Sequence, residues 1–503
     1  MLSVSSLGYT QLLGFPLLLG ISYAVYVVIY NLYFHPLKGF PGPRLAAATP
    51  YWFVPRWLNG RALFQVKELH DRYGTVVRTS PNELSFCAPQ AWKDIYGAGT
   101  RKGLFIKSDW YKPAPGEADA LFTVRDPEHH GQMRKQFSHD FSAKALAMQQ
   151  DVIQHFIDMM ISQLDRHCTQ APGDMKDWYN FCTFDIIGDL AFGESFGSTA
   201  TGKPHFWISI LFASLKTISV LRAIRYLPPL GDLFDTLYKR GWLPSKVKEP
   251  RRRQIQYSDE KLTKRINSTV ERNDLMVNAL AAKEKFGTSY EELRSQATTL
   301  VIAGSETTAT ALLGMTYFLA RNPDSYSKLA TEVRTSFSSY DEITGHSTEA
   351  LPYLQAAIWE SLRMYPPVPI GMPRVSPGDT VDGRYVPKGA VVYSSPWAAT
   401  KSESNFHKPY EYIPERWLDA EWHDNKEASQ PFSLGSRGCL GRNLGHLEMR
   451  LIMAKILWTF DFRVTDDHLD WTSDNRCYML WDKPSLPVQF TRRAGITPPA
   501  FEA

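Results

Sequence analysis

Phe432-Ser433-Leu434-Gly435-Ser436-Arg437-Gly438-Cys439-Leu440-Gly441 reads F-x-x-G-x-R-x-C-x-G and holds the most informative cysteine of the chain. Gly435, Gly438 and Gly441 let the backbone turn tightly and let a flat ligand come close. Beyond Cys439, the apolar residues Leu444, Leu447, Leu451 and Trp458 recur at helical spacing, which puts Cys439 just before or at a helix N-terminus. There the dipole and free N–H groups lower a thiol pKa and stabilise a thiolate. Such a thiolate serves either as a nucleophile, with His446 the nearest base in sequence, or as a metal ligand. A lone thiolate in a glycine-lined loop suits haem iron, whose other ligands come from the porphyrin. A lone buried cysteine without such a setting is inert packing.

The other cysteines, Cys87, Cys168, Cys182 and Cys477, are widely spaced, and no C-x-x-C pair occurs. Neither a disulfide scaffold nor a zinc finger is expected. The 503 residues are 44% hydrophobic, 13% aromatic and 21% charged, which excludes disorder, coiled coil and collagen-like repeats. With 56 Lys+Arg against 52 Asp+Glu the net charge is +4, too mild for a nucleic-acid binder.

No ionisable side chain other than tyrosine occurs from Met1 to Phe34, and Leu12 to Tyr33 is long and apolar enough to cross a bilayer. A cleaved signal peptide needs a basic n-region, which is absent. His35, Lys38 and Arg44 follow the apolar stretch, so the positive-inside rule places the N-terminus in the lumen and the body in the cytosol. Residues 1–34 are therefore expected to be a transmembrane anchor. Residues 35–50, with Pro36, Pro41 and Pro43, are expected to be a stiff, non-helical hinge. Residues 51–503 are expected to form one catalytic domain.

Helical periodicity dominates that body, over Ala145–Leu164, Phe184–Phe192 and Tyr290–Leu319. Strand-like pieces are short: Thr75–Thr79, Glu83–Cys87, Tyr385–Val386 and Ala390–Ser394. The fold class is mainly α with a small β part. Lys246, Lys248, Arg251, Arg252 and Arg253 form a basic cluster, read as a solvated helix start or a docking contact.

The cysteine stretch resembles the haem-binding loop of the cytochrome P450 family, and other family marks occur in order. Ala303-Gly304-Ser305-Glu306-Thr307-Thr308 resembles the oxygen-binding kink of the family's long helix. Glu360-Ser361-Leu362-Arg363 and Pro414-Glu415-Arg416-Trp417 resemble its E-x-x-R and P-E-R-F elements. His130-x-x-x-Arg134 resembles W-x-x-x-R, with His130 in place of Trp. The resemblance covers essentially the whole chain and is greatest to fungal membrane-bound members acting in secondary metabolism.

The resemblance implies a single haem domain with haem b bound by Cys439 as the axial iron ligand. Ala303, Gly304, Phe432, Gly435 and Gly441 would line the haem, and His130, Arg134, Arg374 and Arg437 would hold its propionates. It implies Glu306 and Thr307 as an acid–alcohol pair that delivers protons. It also implies Glu360, Arg363 and Arg416 as a buried structural charge triad. Gly304 would let the helix pass close to a ligand.

The implied activity inserts one oxygen atom from O2 into a lipophilic molecule, by hydroxylation or epoxidation. The substrate would be a polyketide or terpenoid intermediate. Electrons would come from NADPH through a separate reductase on the endoplasmic reticulum membrane, with cytochrome b5 as a second candidate donor. The pocket would draw on Trp110–Phe122, Phe206–Leu221, Pro369–Met372 and Tyr478–Trp481. Two alternatives share the loop: a haem-thiolate isomerase or dehydratase, and a non-catalytic membrane haem protein.

Overall fold

The computed structural model describes residues 9–97, 103–113, 116–210, 219–220, 223–224, 228–242, 245–270, 272, 274–419, 421–466, 468–473 and 475–500. Residues 1–8 of the expected anchor, and 114–115, 211–218 and 221 of the expected pocket, lie outside these.

A helix runs over Tyr9–Ile29 and continues in a wider turn over Tyr30–Phe34, and from Phe15 onward it presents a nearly unburied apolar surface. Residues 15–34 form the one described helical segment long and apolar enough to cross a membrane. The segment read as a non-helical hinge differs from that expectation. Arg44–Ala48 is a short helix, and Leu37 is fully buried against the sheet. The Arg78 amide donates to Pro41 O at 2.7 Å, and the Asn31 amide side chain donates to Ala48 O at 2.9 Å. Prolines remove donors but leave carbonyls available, so the segment is stitched to the body.

The body is built around the Tyr290–Arg321 helix. Its start is fixed by a capping box, Ser289 with Glu292. Apolar residues surround most of it, so it runs through the core instead of along its surface. The Met175–Phe192, Pro352–Met364 and Arg442–Thr459 helices pack around it. The Ala145–Leu164 periodicity is divided at Gln149 into helices Ala143–Met148 and Gln150–His167.

The largest sheet has five strands, ordered Val76–Ser80, Glu83–Phe86, Val391–Ser394, Arg374–Val375 and Ile106–Lys107. Its one parallel pair joins Glu83–Phe86 to Val391–Ser394. The sheet has its own small core, with Val76, Leu84, Phe86, Trp92 and Val392. In the basic cluster, Arg251 lies within the Ser245–Ile266 helix and pairs bidentately with Glu117 at 2.6 and 2.5 Å. Arg252 and Arg253 pair with Glu249 at the surface.

Candidate active site

Gly435 decides the shape of the cysteine loop. Its φ is +69°, and a Cβ there would collide with the backbone oxygen of Tyr96, so only glycine fits. The loop then closes on itself: the Cys439 amide donates to Phe432 O at 2.8 Å and the Gly438 amide to Gly435 O at 3.0 Å. Arg134 donates to Gly438 O at 2.7 Å. Arg437 donates to Val124 O at 3.3 Å and Arg125 O at 3.1 Å. The helix after the loop begins at Arg442 with Gly441 as its cap, three residues past the cysteine.

Cys439 alone among the five cysteines is exposed, yet enough protein surrounds it to desolvate its thiol. Its exposed face is therefore open to a ligand. Burial raises its thiol pKa, against the lowering effects of the Gly441 amide, Arg134 and Arg442. The expected lowering of the thiol pKa is thus reversed in the protein by itself, because desolvation outweighs the helix terminus. A coordinated cation would restore the thiolate outright. The nucleophile reading loses its base. His446 packs on Phe432 and Trp359, at ring distances of 4.9 and 5.1 Å, and burial pushes its pKa down to about 4.

The central helix carries a second accessible stretch. Ala303 is exposed and Thr307 partly so, in a helix otherwise buried along its middle. The Thr307 hydroxyl donates to Ala303 O at 2.5 Å, turning back on its own helix. Gly304 departs from expectation. A Cβ there would lie 2.8 Å from Ile187 of the Met175–Phe192 helix, so its missing side chain serves close helix packing rather than approach to a ligand.

Glu306 also departs. It is fully buried and ion-paired with Lys483, and the Thr310 hydroxyl donates to it at 3.2 Å. Lys483 donates to Thr310 at 2.7 Å. Glu306 and Thr307 are not joined by a hydrogen bond among the described residues, because consecutive helix positions point about 100° apart. Gly445 brings the cysteine helix to the central helix: its Cβ direction meets Phe432 and the Thr308 hydroxyl at 3.8 Å.

A group of cations lies beside the cysteine loop. His130, Arg134, Arg374 and Arg437 converge as expected, and Lys107, which the sequence reading missed, joins them. Burial first, then repulsion by Lys107 and the three arginines, pushes His130 down to about 3, so its imidazole is neutral. Arg374 donates to the Tyr111 hydroxyl at 2.6 Å. Among the described residues, none of these four cationic side chains is ion-paired with a carboxylate. A buried cation cluster without counter-charge fits a ligand bearing carboxylates. An exposed cysteine in a glycine-shaped loop, with cations beside it that lack ion-pair partners, fits the iron and the two carboxylates of a flat metal-porphyrin.

The expected triad is assembled and fully buried. Glu360 accepts from Arg363 Nε and Nη2, both at 2.8 Å, and from Arg416 Nε at 3.1 Å. Trp417 Nε1 and the Ile413 amide complete its oxygens. Burial acts to raise the Glu360 pKa, but the two guanidiniums outweigh it and hold the carboxyl below its usual range. Asp424, absent from the sequence reading, pairs with Arg416 as a fourth member. Trp359, beside Glu360, meets Phe432 edge-on at 6.2 Å and so links this network to the cysteine loop.

A small apolar cleft is lined by Trp57, Leu63, Trp110, Ile370 and Tyr393, with Glu83 at its wall. Phe122 lies beside Tyr111 and Trp110. Phe206, expected in the pocket, is largely exposed and packs on Tyr257 instead.

A family model described as cytochrome P450 matches residues 43–490. The chain is 38% identical over 494 residues to the cytochrome P450 monooxygenase BOA3 of Botryotinia fuckeliana, covering 95% of this chain and 96% of that one. It is 40% identical over 485 residues to the cytochrome P450 monooxygenase aclL of Aspergillus oryzae, covering 94% and 98%. It is 38% identical over 479 residues to averantin hydroxylase of Dothistroma septosporum, covering 93% and 89%.

Proposed function

Because the chain belongs to the cytochrome P450 family and is a monooxygenase of that class, we propose that Cys439 is the axial ligand of haem b in an enzyme that oxidises a lipophilic intermediate of fungal secondary metabolism. One observation supports the assignment: Cys439 is the single exposed cysteine, in a loop bordered by Arg134 and Arg437. The haem, when bound, supplies dioxygen activation and oxygen insertion into a C–H bond or an alkene.

The chain's own residues position and protonate. The Gly441 amide and the Arg134 charge favour the Cys439 thiolate. Arg134, Arg374 and Arg437, with neutral His130 as a hydrogen-bonding group, hold the haem carboxylates. Phe432, Gly435 and Gly441 shape the loop on the cysteine side, and Ala303 faces the ligand from the other. Thr307 is the proton-handling hydroxyl of the central helix, and Glu306, ion-paired with Lys483, braces that helix instead of relaying to Thr307. Glu360, Arg363 and Arg416 hold the cysteine loop from below.

The apolar cleft by Trp110 and Ile370 supports a lipophilic substrate of polyketide or terpenoid type. Electrons come from NADPH through a separate reductase, with cytochrome b5 as an additional donor. Residues 1–34 are the anchor, 35–50 the docked connection and 51–503 the catalytic domain. The N-terminus lies in the lumen of the endoplasmic reticulum and the domain in the cytosol.

The test is the reduced carbon monoxide difference spectrum of the membrane-expressed protein. A strongly red-shifted Soret band that disappears in Cys439→Ser supports the assignment. A haem band without that shift, or one that survives the substitution, refutes it. Thr307→Ala separates the class from a haem isomerase: a monooxygenase becomes uncoupled, whereas an isomerase keeps its rate.

A further inference from the structure

Lys107 and Arg374 stand directly opposite each other in the antiparallel pairing of Ile106–Lys107 with Arg374–Val375, and both are buried. Like charges opposite each other across a strand pair are unfavourable even at a surface, and burial makes the pair worse. Burial acts first on Lys107, followed by repulsion from Arg437 and Arg374, and together they push its pKa down to about 6. The carboxylate that opposes this, Asp119, is the weakest of its influences. In the protein by itself a neutral amine relieves the repulsion, whereas an anion at this edge would restore the ammonium.

The Lys107 amine is also tied elsewhere. It donates to Leu121 O at 2.7 Å and Phe122 O at 2.8 Å. Those carbonyls belong to a turn closed by the Thr123 and Val124 amides on Ala120 O, at 2.9 and 2.8 Å. The turn reaches the central helix through the Leu121 amide, which donates to Gln296 Oε1 at 2.7 Å. A protonated lysine has three N–H donors, so two carbonyls leave one for an incoming acceptor. The amine thus stands between the cation cluster and the turn carrying Phe122.

The geometry points to Lys107 as a residue that binds a haem carboxylate and, through Leu121 and Phe122, converts the cofactor's charge into order of the 119–124 turn. This inference rests on the haem assignment of Cys439. The carboxylate completes the charge balance of the Lys107–Arg374 pair. The ammonium so stabilised then holds two carbonyls more strongly than a neutral amine does.

The test uses full-chain holoprotein as wild type, Lys107→Met and Lys107→Arg. Two quantities are followed: transfer of haem to excess apomyoglobin, and hydrogen exchange of residues 119–124. Lys107→Met is expected to release haem at least about tenfold faster, the size of one charge-assisted bond, and to lose protection in 119–124 but not in the Arg442–Thr459 helix. Lys107→Arg is expected to stay close to wild type. Wild-type release and protection in Lys107→Met overturn the proposal.

If Lys107→Met does not fold, wild type refilled with haem dimethyl ester replaces it. Full protection of 119–124 around the esterified haem overturns the proposal, and selective loss there supports it. Wild-type protein that carries no haem fails the Cys439 assignment itself, and the proposal with it. Haem-bearing wild type with an insensitive turn defeats this inference alone.

Discussion

Glu306 turns its carboxylate onto Lys483, away from Thr307, the residue next to it in sequence. Both charges are buried, and Thr310 bridges them. Lys483→Met leaves Glu306 uncompensated, and removal of one partner of a buried pair costs about 3–5 kcal/mol. Adding Glu306→Gln is expected to recover most of that loss. Denaturant titrations of both single variants and the double variant form the cycle. Strictly additive losses would show that the two groups do not act as a pair.

Glu448, fully buried on the Arg442–Thr459 helix, titrates with an opposite sense to most carboxylates. Neither oxygen has a hydrogen bond of ordinary geometry, and burial raises its pKa from 4.5 to about 8, with the nearby Thr308 hydroxyl opposing. Between these values the folded chain keeps a proton that the unfolded chain releases, so stability falls as pH rises. Glu448→Gln removes that slope. Its stability advantage over wild type is expected to grow by roughly 4 kcal/mol between pH 5 and pH 8. Unfolding midpoints at the two pH values measure it, and a constant difference would contradict it.

Gly304→Ala is expected to destabilise the protein by about 1–3 kcal/mol through overpacking against Ile187. Ile187→Ala in the same chain makes room for the new methyl, so the double variant should be more stable than the sum of the two losses. Thermal denaturation of the three variants decides this. No rescue by Ile187→Ala would place the strain elsewhere.

Glu360→Ala strands the fully buried Arg363 guanidinium and leaves Arg416 with Asp424 as its only carboxylate, so a loss of about 3–5 kcal/mol and poor haem retention are expected. Asp424→Asn should weaken the protein less, because Arg416 keeps Glu360 and His407 O as acceptors. Haem content per chain, measured beside stability, checks the order. Equal losses in both variants would mean that Asp424 carries as much as Glu360.

These contrasts mark what the sequence makes legible. The cysteine loop, the helix opened by Ser289 and Glu292, and the Glu360–Arg363 pair are encoded within a few residues, and each is present where its motif lies. Gly304 and Glu306 are located by the same means, but not which neighbour the bare face of Gly304 and the carboxylate of Glu306 meet. A motif fixes spacing along a helix, whereas rotation about its axis is set by what packs against it, here Ile187 and Lys483. Lys483, Lys107 and Asp424 have no local signature. They reach the site from distant parts of the chain, so only the fold reveals them.

The parallel pairing of Glu83–Phe86 with Val391–Ser394 joins segments separated by roughly 300 residues. On a ribosome adding about 5–20 residues per second, the earlier strand waits for about 15–60 s before its partner exists. During that interval Leu84 and Phe86 have no strand to cover them on that side. Such long-range pairing also slows folding after release. Yield during expression should therefore respond to translation speed and to chaperones that mask extended apolar segments, independently of cofactor supply.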